Sequence, residues 1–189
     1  MPDIKEDLED IEEENFEQQA FVSYSALRDL LSEEKVTLLI KGLRDSGDIQ
    51  VYHEKEIIQC ILQDGLRLFA ILLSLSRPNL ILKFIETNSF AHSQLDARLP
   101  LSKESLSRII QDGKLCSRFE KYHWKFVIPF LSADHSHREL HDSARLPIVE
   151  CREIGEGGLG KVDEISLPAS CQDLVPQFEG KVPSPTPLC

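Results

Sequence analysis

The apolar centre of the chain is residues 54–76, which read EKEIIQCILQDGLRLFAILLSLS. Apolar side chains recur there at helical spacing, and in the second half they cover more than one face of a helix. A helix that is apolar on most sides is enclosed by neighbouring elements. Pro78 ends the segment, because proline cannot continue a helix. The stretch therefore predicts one helix that is buried among others.

Shorter helices are predicted on both sides of this segment. Four stretches carry apolar residues at helical spacing between start and stop signals, and they are residues 25–31, 32–46, 80–86 and 102–113. In the second of them Ser32 is an N-cap and Ser46-Gly47 a stop, while Gly113 ends the last. The predicted fold class is mainly α, with an irregular helical domain over residues 21–145.

The end of this domain is aromatic and then polar. Residues 119–131 are dense in aromatic side chains around Pro129, which predicts a buried segment without a continuous helix. Residues 132–145 predict a polar loop. His137 and His141 in this loop would share a helix face, but no cysteine lies nearby, and histidines in a polar loop are interpreted as solvated. No metal site is expected.

Acidic residues are concentrated at the N-terminus. Residues 1–20 hold nine of them against one basic residue, Lys5, so most of the formal net charge of −11 lies there. Such a segment predicts a disordered acidic arm, and the alternative is a docking segment for a basic partner. The chain has no basic stripe, so no nucleic-acid partner is expected.

The five cysteines are dispersed and never form a C-x-x-C pair, so they are interpreted as reduced thiols. The first residues lack the basic start and apolar core of a secretory signal. The most apolar stretch, residues 66–75, is too short for a bilayer span and is interrupted by Arg67 and Ser74. We therefore expect an intracellular location, cytoplasmic or nuclear, and no membrane association.

The sequence changes character at Leu146. Residues 146–154 and 160–167 alternate partly with period two around a glycine-rich turn, which predicts a β-hairpin over 146–167. Residues 155–162 read GEGGLGKV and match G-x-G-x-x-G-x-V at every specified position. Backbone amides in this spacing can approach phosphate oxygens without a Cβ in the way, and the valine packs on a purine ring.

The strands on both sides of the turn favour the loop of protein kinases over a dinucleotide-binding turn, because the latter precedes a helix. A glycine-rich hairpin without a ligand is the alternative. The sequence resembles fungal serine/threonine protein kinase-like proteins in which a helical N-terminal region leads directly into the kinase domain. The resemblance rests on WKFVIPF at 124–130, on LPIVE at 146–150, on IGEGGLGKV at 154–162 and on the helical order before them.

The resemblance implies that the chain is the N-terminal part of such a protein, truncated before the catalytic core, with a helical regulatory region and the first hairpin of a small lobe. It implies a set of nucleotide-binding residues, which are Gly155, Gly157, Gly158, Gly160 and Val162. ATP is the cofactor implied, and weak binding is expected.

Phosphoryl transfer needs further groups after the loop, among them a strand lysine and metal-binding residues. Lys181 lies at a tolerable distance, but glycine and proline surround it, and residues 168–189 predict a proline-rich disordered tail. The chain itself is therefore expected not to be an enzyme. The alternative function is a helical protein-interaction or regulatory module that binds a protein partner and no nucleotide.

Overall fold

The computed structural model describes residues 4–47, 54–87, 94–133, 139–157 and 160–174. Within these ranges the chain forms eight α-helices, which are α1 Ile4–Asp10, α2 Tyr24–Leu30, α3 Glu33–Asp45, α4 Glu54–Asp64, α5 Leu66–Ser74, α6 Ile81–Thr87, α7 Lys103–Ile109 and α8 Gly113–Tyr122. Two antiparallel pairs of strands accompany them, β1 Glu13–Glu14 with β2 Ala20–Phe21 and β3 Glu150–Gly157 with β4 Gly160–Ser166. The mainly α fold class and the β-hairpin after the helical domain are confirmed.

Helix α5 is the centre of the main core. Seven of its nine residues are buried, and Phe69 and Ile71 have no exposed surface. Helices α1, α2, α4, α6 and α8 all contact it. The prediction that the second half of residues 54–76 is enclosed on several sides is confirmed.

The predicted single helix over residues 54–76 is wrong, because the chain breaks at Gly65 and α5 is bent by 101° from α4. The break packs closely on distant residues. A Cβ on Gly65 would lie 2.9 Å from Cδ1 of the buried Leu95. The Asp96 carboxylate accepts hydrogen bonds from the Arg67 and Leu68 amides, both at 2.9 Å, and so caps the new helix.

None of the helices in the described ranges is long and apolar enough to cross a membrane by itself. Helices α4 and α5 reach the required length and hydropathy only together, as this bent pair.

The predicted caps are confirmed for two helices. Ser32 accepts a hydrogen bond from the Lys35 amide at the start of α3, and Ser102 accepts one from the Ser105 amide at the start of α7. The prediction that Gly113 ends the second of these helices is wrong, because Gly113 is the first residue of α8. Asp112 caps α8 by accepting hydrogen bonds from Lys114 and Leu115.

The N-terminal segment differs from the expected acidic arm over its described residues, 4–20. Helix α1 buries Leu8 in the main core, and Ile4 and Ile11 pack beside it. These three residues lie at i, i+4 and i+7, so they form an apolar face among the acidic residues. The acidic side chains face outward, and Asp7 pairs with Lys35 of α3 at 2.6 Å.

A second, smaller core joins the N-terminal segment to the base of the hairpin. It consists of Phe21, Ile128 and Cys171, with Val149 packed against them. Backbone bonds follow the same path, since Phe16 N donates to Ile148 O at 2.8 Å. The first residues of the expected disordered tail are ordered, because Ala169–Cys171 form a 3-10 turn with Cys171 buried. Residues 175–189, including Lys181, lie outside the described ranges.

Candidate functional site

The glycine motif lies at the tip of the predicted hairpin. Strands β3 and β4 pair from Glu150 opposite Ser166 to Gly157 opposite Gly160. The ladder is irregular between Glu153 and Gly155, and beyond this bulge Gly155 lies opposite Val162. The hairpin thus brings Gly155, Gly157, Gly160 and Val162 together, while Gly158 lies outside the described residues.

The glycines at the tip differ in what they require. Gly160 has φ +144°, a conformation that favours glycine. Gly155 has no described atom within 4 Å of the place where a Cβ would lie. Packing within the described chain therefore does not demand glycine at position 155, and the open space beside its backbone is accessible to a ligand.

The apolar side chains next to the tip are uncovered. Ile154 is 58% exposed and Val162 is 55% exposed. Strand alternation places Val162 on the face opposite that of Ile165, which is 43% exposed. The hairpin can present backbone amides and a small apolar surface to a ligand on one face, and it has apolar surface on the other face as well.

Ion pairs across the hairpin contribute little to its stability. Arg152 pairs with Glu164 at 2.6 Å and Lys161 pairs with Glu153 at 2.8 Å, but all four side chains are well exposed. Every residue of β4 is exposed. The hairpin is held at its base, where Val149 N donates to Ser166 O at 3.0 Å.

A second concave site lies beside α7 and α8 and has a volume of about 960 Å³. Of the described residues that line it, four are basic, Lys103, Lys121, Lys125 and Arg145, and one is acidic, Glu120. We call this site the basic groove. Sequence reasoning missed it, because the basic residues are far apart along an acidic chain and only the tertiary fold brings them to one place.

A row of rings lines the basic groove. Trp124 lies between two imidazoles, with ring centroids 4.5 Å from His123 and 4.7 Å from His141. Nδ1 of His141 accepts a hydrogen bond from the Ser143 amide at 3.1 Å. The proton of the neutral His141 ring is therefore on Nε2, where it can be donated.

His123 is buried, with 1% of its surface exposed. Its Nδ1 lies 3.1 Å from the Phe119 carbonyl oxygen, which can only accept, so Nδ1 carries the proton. Its Nε2 has no hydrogen-bond partner among the described residues. Burial lowers the pKa of His123, and this effect outweighs the hydrogen bond to Phe119.

The described residues contain no group of three or more histidine, cysteine or acidic side chains arranged to hold a metal ion. His137 lies outside the described residues, and His141 stacks on Trp124 in an irregular segment. None of the four described cysteines forms a disulfide, and burial raises the pKa of Cys60, Cys116 and Cys171. Only Cys151, on β3, is an exposed thiol among these four.

Comparison with known proteins gives no match for this chain, whether with family models, with curated proteins or with solved structures.

Proposed function

We propose that residues 150–166 are the nucleotide-covering hairpin of a protein kinase-like small lobe, and that the helices before them form its regulatory region. One observation carries the proposal. The motif G-x-G-x-x-G-x-V lies across the tip of an antiparallel hairpin, with Gly155 opposite Val162 and open space beside the Gly155 backbone. This strand–turn–strand context is the one in which the motif covers phosphates in protein kinases.

The chemistry of the hairpin suits weak binding without catalysis. Glycine amides donate to phosphate oxygens, and each such bond contributes about 1 kcal/mol net. A few of them, with one valine on the purine, support a dissociation constant of about 1 mM or weaker. On this proposal the hairpin positions a nucleotide, and other parts of a kinase-like protein would carry out phosphoryl transfer.

The proposal is tested by titrating the isotope-labelled chain with ATP and magnesium while the NMR signals of the backbone amides are recorded. We expect the amides of residues 155–162 to shift in a saturable way, with a dissociation constant of about 1 mM or weaker. Val162→Ala should weaken binding, because Val162 shares the ligand face. Ile165→Ala is the matched control, since this side chain is also exposed and on β4 but on the other face.

Two results would contradict the nucleotide role. One is the absence of any amide shift in residues 155–162 at about 10 mM ATP, well above the expected dissociation constant. The other is equal weakening by both substitutions, since this would show that the purine does not lie against Val162.

A second candidate function is a helical interaction module whose hairpin binds protein. The exposure of Ile165 favours it, because a nucleotide on the Val162 face leaves the Ile165 face uncovered. This alternative predicts no response of residues 155–162 to ATP. The same titration therefore separates the two functions.

A further inference from the structure

We infer that the basic groove binds a small anion that carries two or more phosphoryl groups. None of the described residues that line the groove lies in the hairpin, residues 150–166. The inference therefore stands independently of the proposed nucleotide-covering function.

The charges of the groove are the first argument. Lys103 and Lys121 are exposed, and neither makes an ion pair with a described residue. Lys125 is partly buried and is held by Glu12 at 2.5 Å. Arg145 is also partly buried and donates to the Ala20 carbonyl oxygen. Two of the four cations are thus fixed in place, and two are available to pair with a ligand.

The origin of these cations is the second argument. Lys103 belongs to α7, Lys121 to α8, Lys125 to the turn that follows α8, and Arg145 to the segment before the hairpin. Cations from four separate elements therefore border one volume. Lysine binds phosphate as a point charge and arginine binds it with a planar fork, so this set suits an anion that reaches several elements at once.

Size and the spread of the cations indicate more than one phosphoryl group. The volume of about 960 Å³ lies at the upper end of the range for small-molecule sites, so one phosphate ion would leave most of it empty. Among the described residues, the four basic side chains are opposed by Glu120 and by Glu12, which pairs with Lys125, so the excess is two positive charges. A phosphoryl monoester carries about −1.5 to −2 near neutral pH, so one group balances this charge, and a second group is favoured because the cations come from four elements. The Nε2 proton of His141 supplies a further donor.

Trp124 provides the measurement, because it lines the groove and is the only tryptophan of the chain. The purified full chain is titrated with inorganic tripolyphosphate, and separately with orthophosphate, at constant ionic strength. We expect a saturable change in fluorescence with tripolyphosphate at a dissociation constant below about 1 mM, and at least about tenfold weaker binding of orthophosphate.

Paired variants test the location. Lys103→Gln with Lys121→Gln should weaken tripolyphosphate binding by about tenfold or more, because each lysine contributes a charge-assisted bond. Lys55→Gln with Lys114→Gln is the control, since it makes the same change in net charge at two exposed lysines outside the groove. This control should leave binding within about twofold of wild type. All four positions are exposed, so unfolding curves of both double variants should match wild type.

Three results would overturn the inference. The first is no saturable fluorescence change up to about 10 mM tripolyphosphate, more than ten times the expected dissociation constant. The second is equal weakening by the two double variants, which would reflect net charge alone. The third is binding of a phosphoserine peptide in the absence of tripolyphosphate binding, which would assign the groove to a protein partner.

Discussion

The cap on helix α5 gives the sharpest test of how the core is built. Oδ2 of Asp96 accepts from the Arg67 amide and Oδ1 accepts from the Leu68 amide, both at 2.9 Å. The first-turn amides of a helix have no acceptor within it, so these two depend on Asp96. Asp96→Ala removes both acceptors, and we expect the free energy of unfolding to fall by about 2 kcal/mol at neutral pH.

Asp96→Asn is the matched variant. It keeps one acceptor oxygen and places an NH₂ group against the second amide, so we expect a loss of about 1 kcal/mol, half that of alanine. Urea unfolding, monitored by the fluorescence of Trp124, measures both values by linear extrapolation. Equal losses for the two variants, or a loss below about 0.5 kcal/mol for alanine, would refute the capping role.

The pH dependence of the same pair adds an independent check. Burial raises the pKa of Asp96, and this effect outweighs the hydrogen bonds from Arg67 and Leu68. The folded chain then binds this proton more tightly than the unfolded chain does. Its contribution is fully present below the unfolded pKa of about 3.9 and is lost as the pH rises through the folded pKa.

The free energy of unfolding of wild type minus that of Asp96→Asn should therefore be greater at about pH 3.5 than at neutral pH. Other titrating groups cancel in this difference, because both proteins share them. A difference that stays constant, or that grows as the pH rises, would show that burial does not govern Asp96.

Three further changes test other parts of the fold by urea unfolding. Gly65→Ala should cost about 1 kcal/mol, the low end for overpacking, because its Cβ would lie 2.9 Å from Cδ1 of Leu95 and the end of that side chain must shift; a loss above about 3 kcal/mol would contradict this. Leu8→Ala should cost about 2–5 kcal/mol, because Leu8 is buried in the main core. The control Leu38→Ala, at a 67% exposed position, should cost less than about 0.5 kcal/mol. Similar losses for the two variants would mean that α1 does not pack on the core. Burial lowers the pKa of His123, so the unfolded chain binds this proton at a higher pH than the folded chain does. As the pH is lowered from about 7.5 to 5.5, the free energy of unfolding should therefore fall more in wild type than in His123→Gln. Parallel curves for the two proteins would count against this.

Local signals predicted the parts of the fold that depend on neighbouring residues. Ser32 and Ser102 each cap a helix by accepting a hydrogen bond from the amide three residues ahead. The spacing along the sequence alone therefore reveals these caps. The hairpin is equally local, since its two strands and the turn between them span only 17 residues, 150–166. Composition misled the prediction for residues 4–11, because the number of acidic residues obscured an apolar face of three side chains, Ile4, Leu8 and Ile11.

Features that depend on distant residues could not be predicted in this way. Periodicity continues through Gly65, and Asp96, which caps the helix that begins after the break, lies 31 positions further along the chain. The basic groove has the same origin, since Lys103 and Arg145 become neighbours only after folding. By contrast, the burial of His123 agrees with the sequence, because His123 lies between Tyr122 and Trp124 in the aromatic segment that was predicted to be buried.

One short turn connects the two candidate sites. Asn15, which is buried, donates from Nδ2 to the Leu146 carbonyl oxygen at 3.1 Å, and its Oδ1 accepts from the Gln19 amide at 2.8 Å. The same turn contributes Gln19 to the lining of the basic groove, while Phe16 N binds Ile148 O just before β3. A ligand that contacts Gln19 in the groove would therefore touch the same turn that anchors the base of the hairpin. Because a two-stranded hairpin is marginally stable by itself, its base determines how well the glycine tip is held. The acidic N-terminal segment is thus a structural link between the helical body and the glycine hairpin.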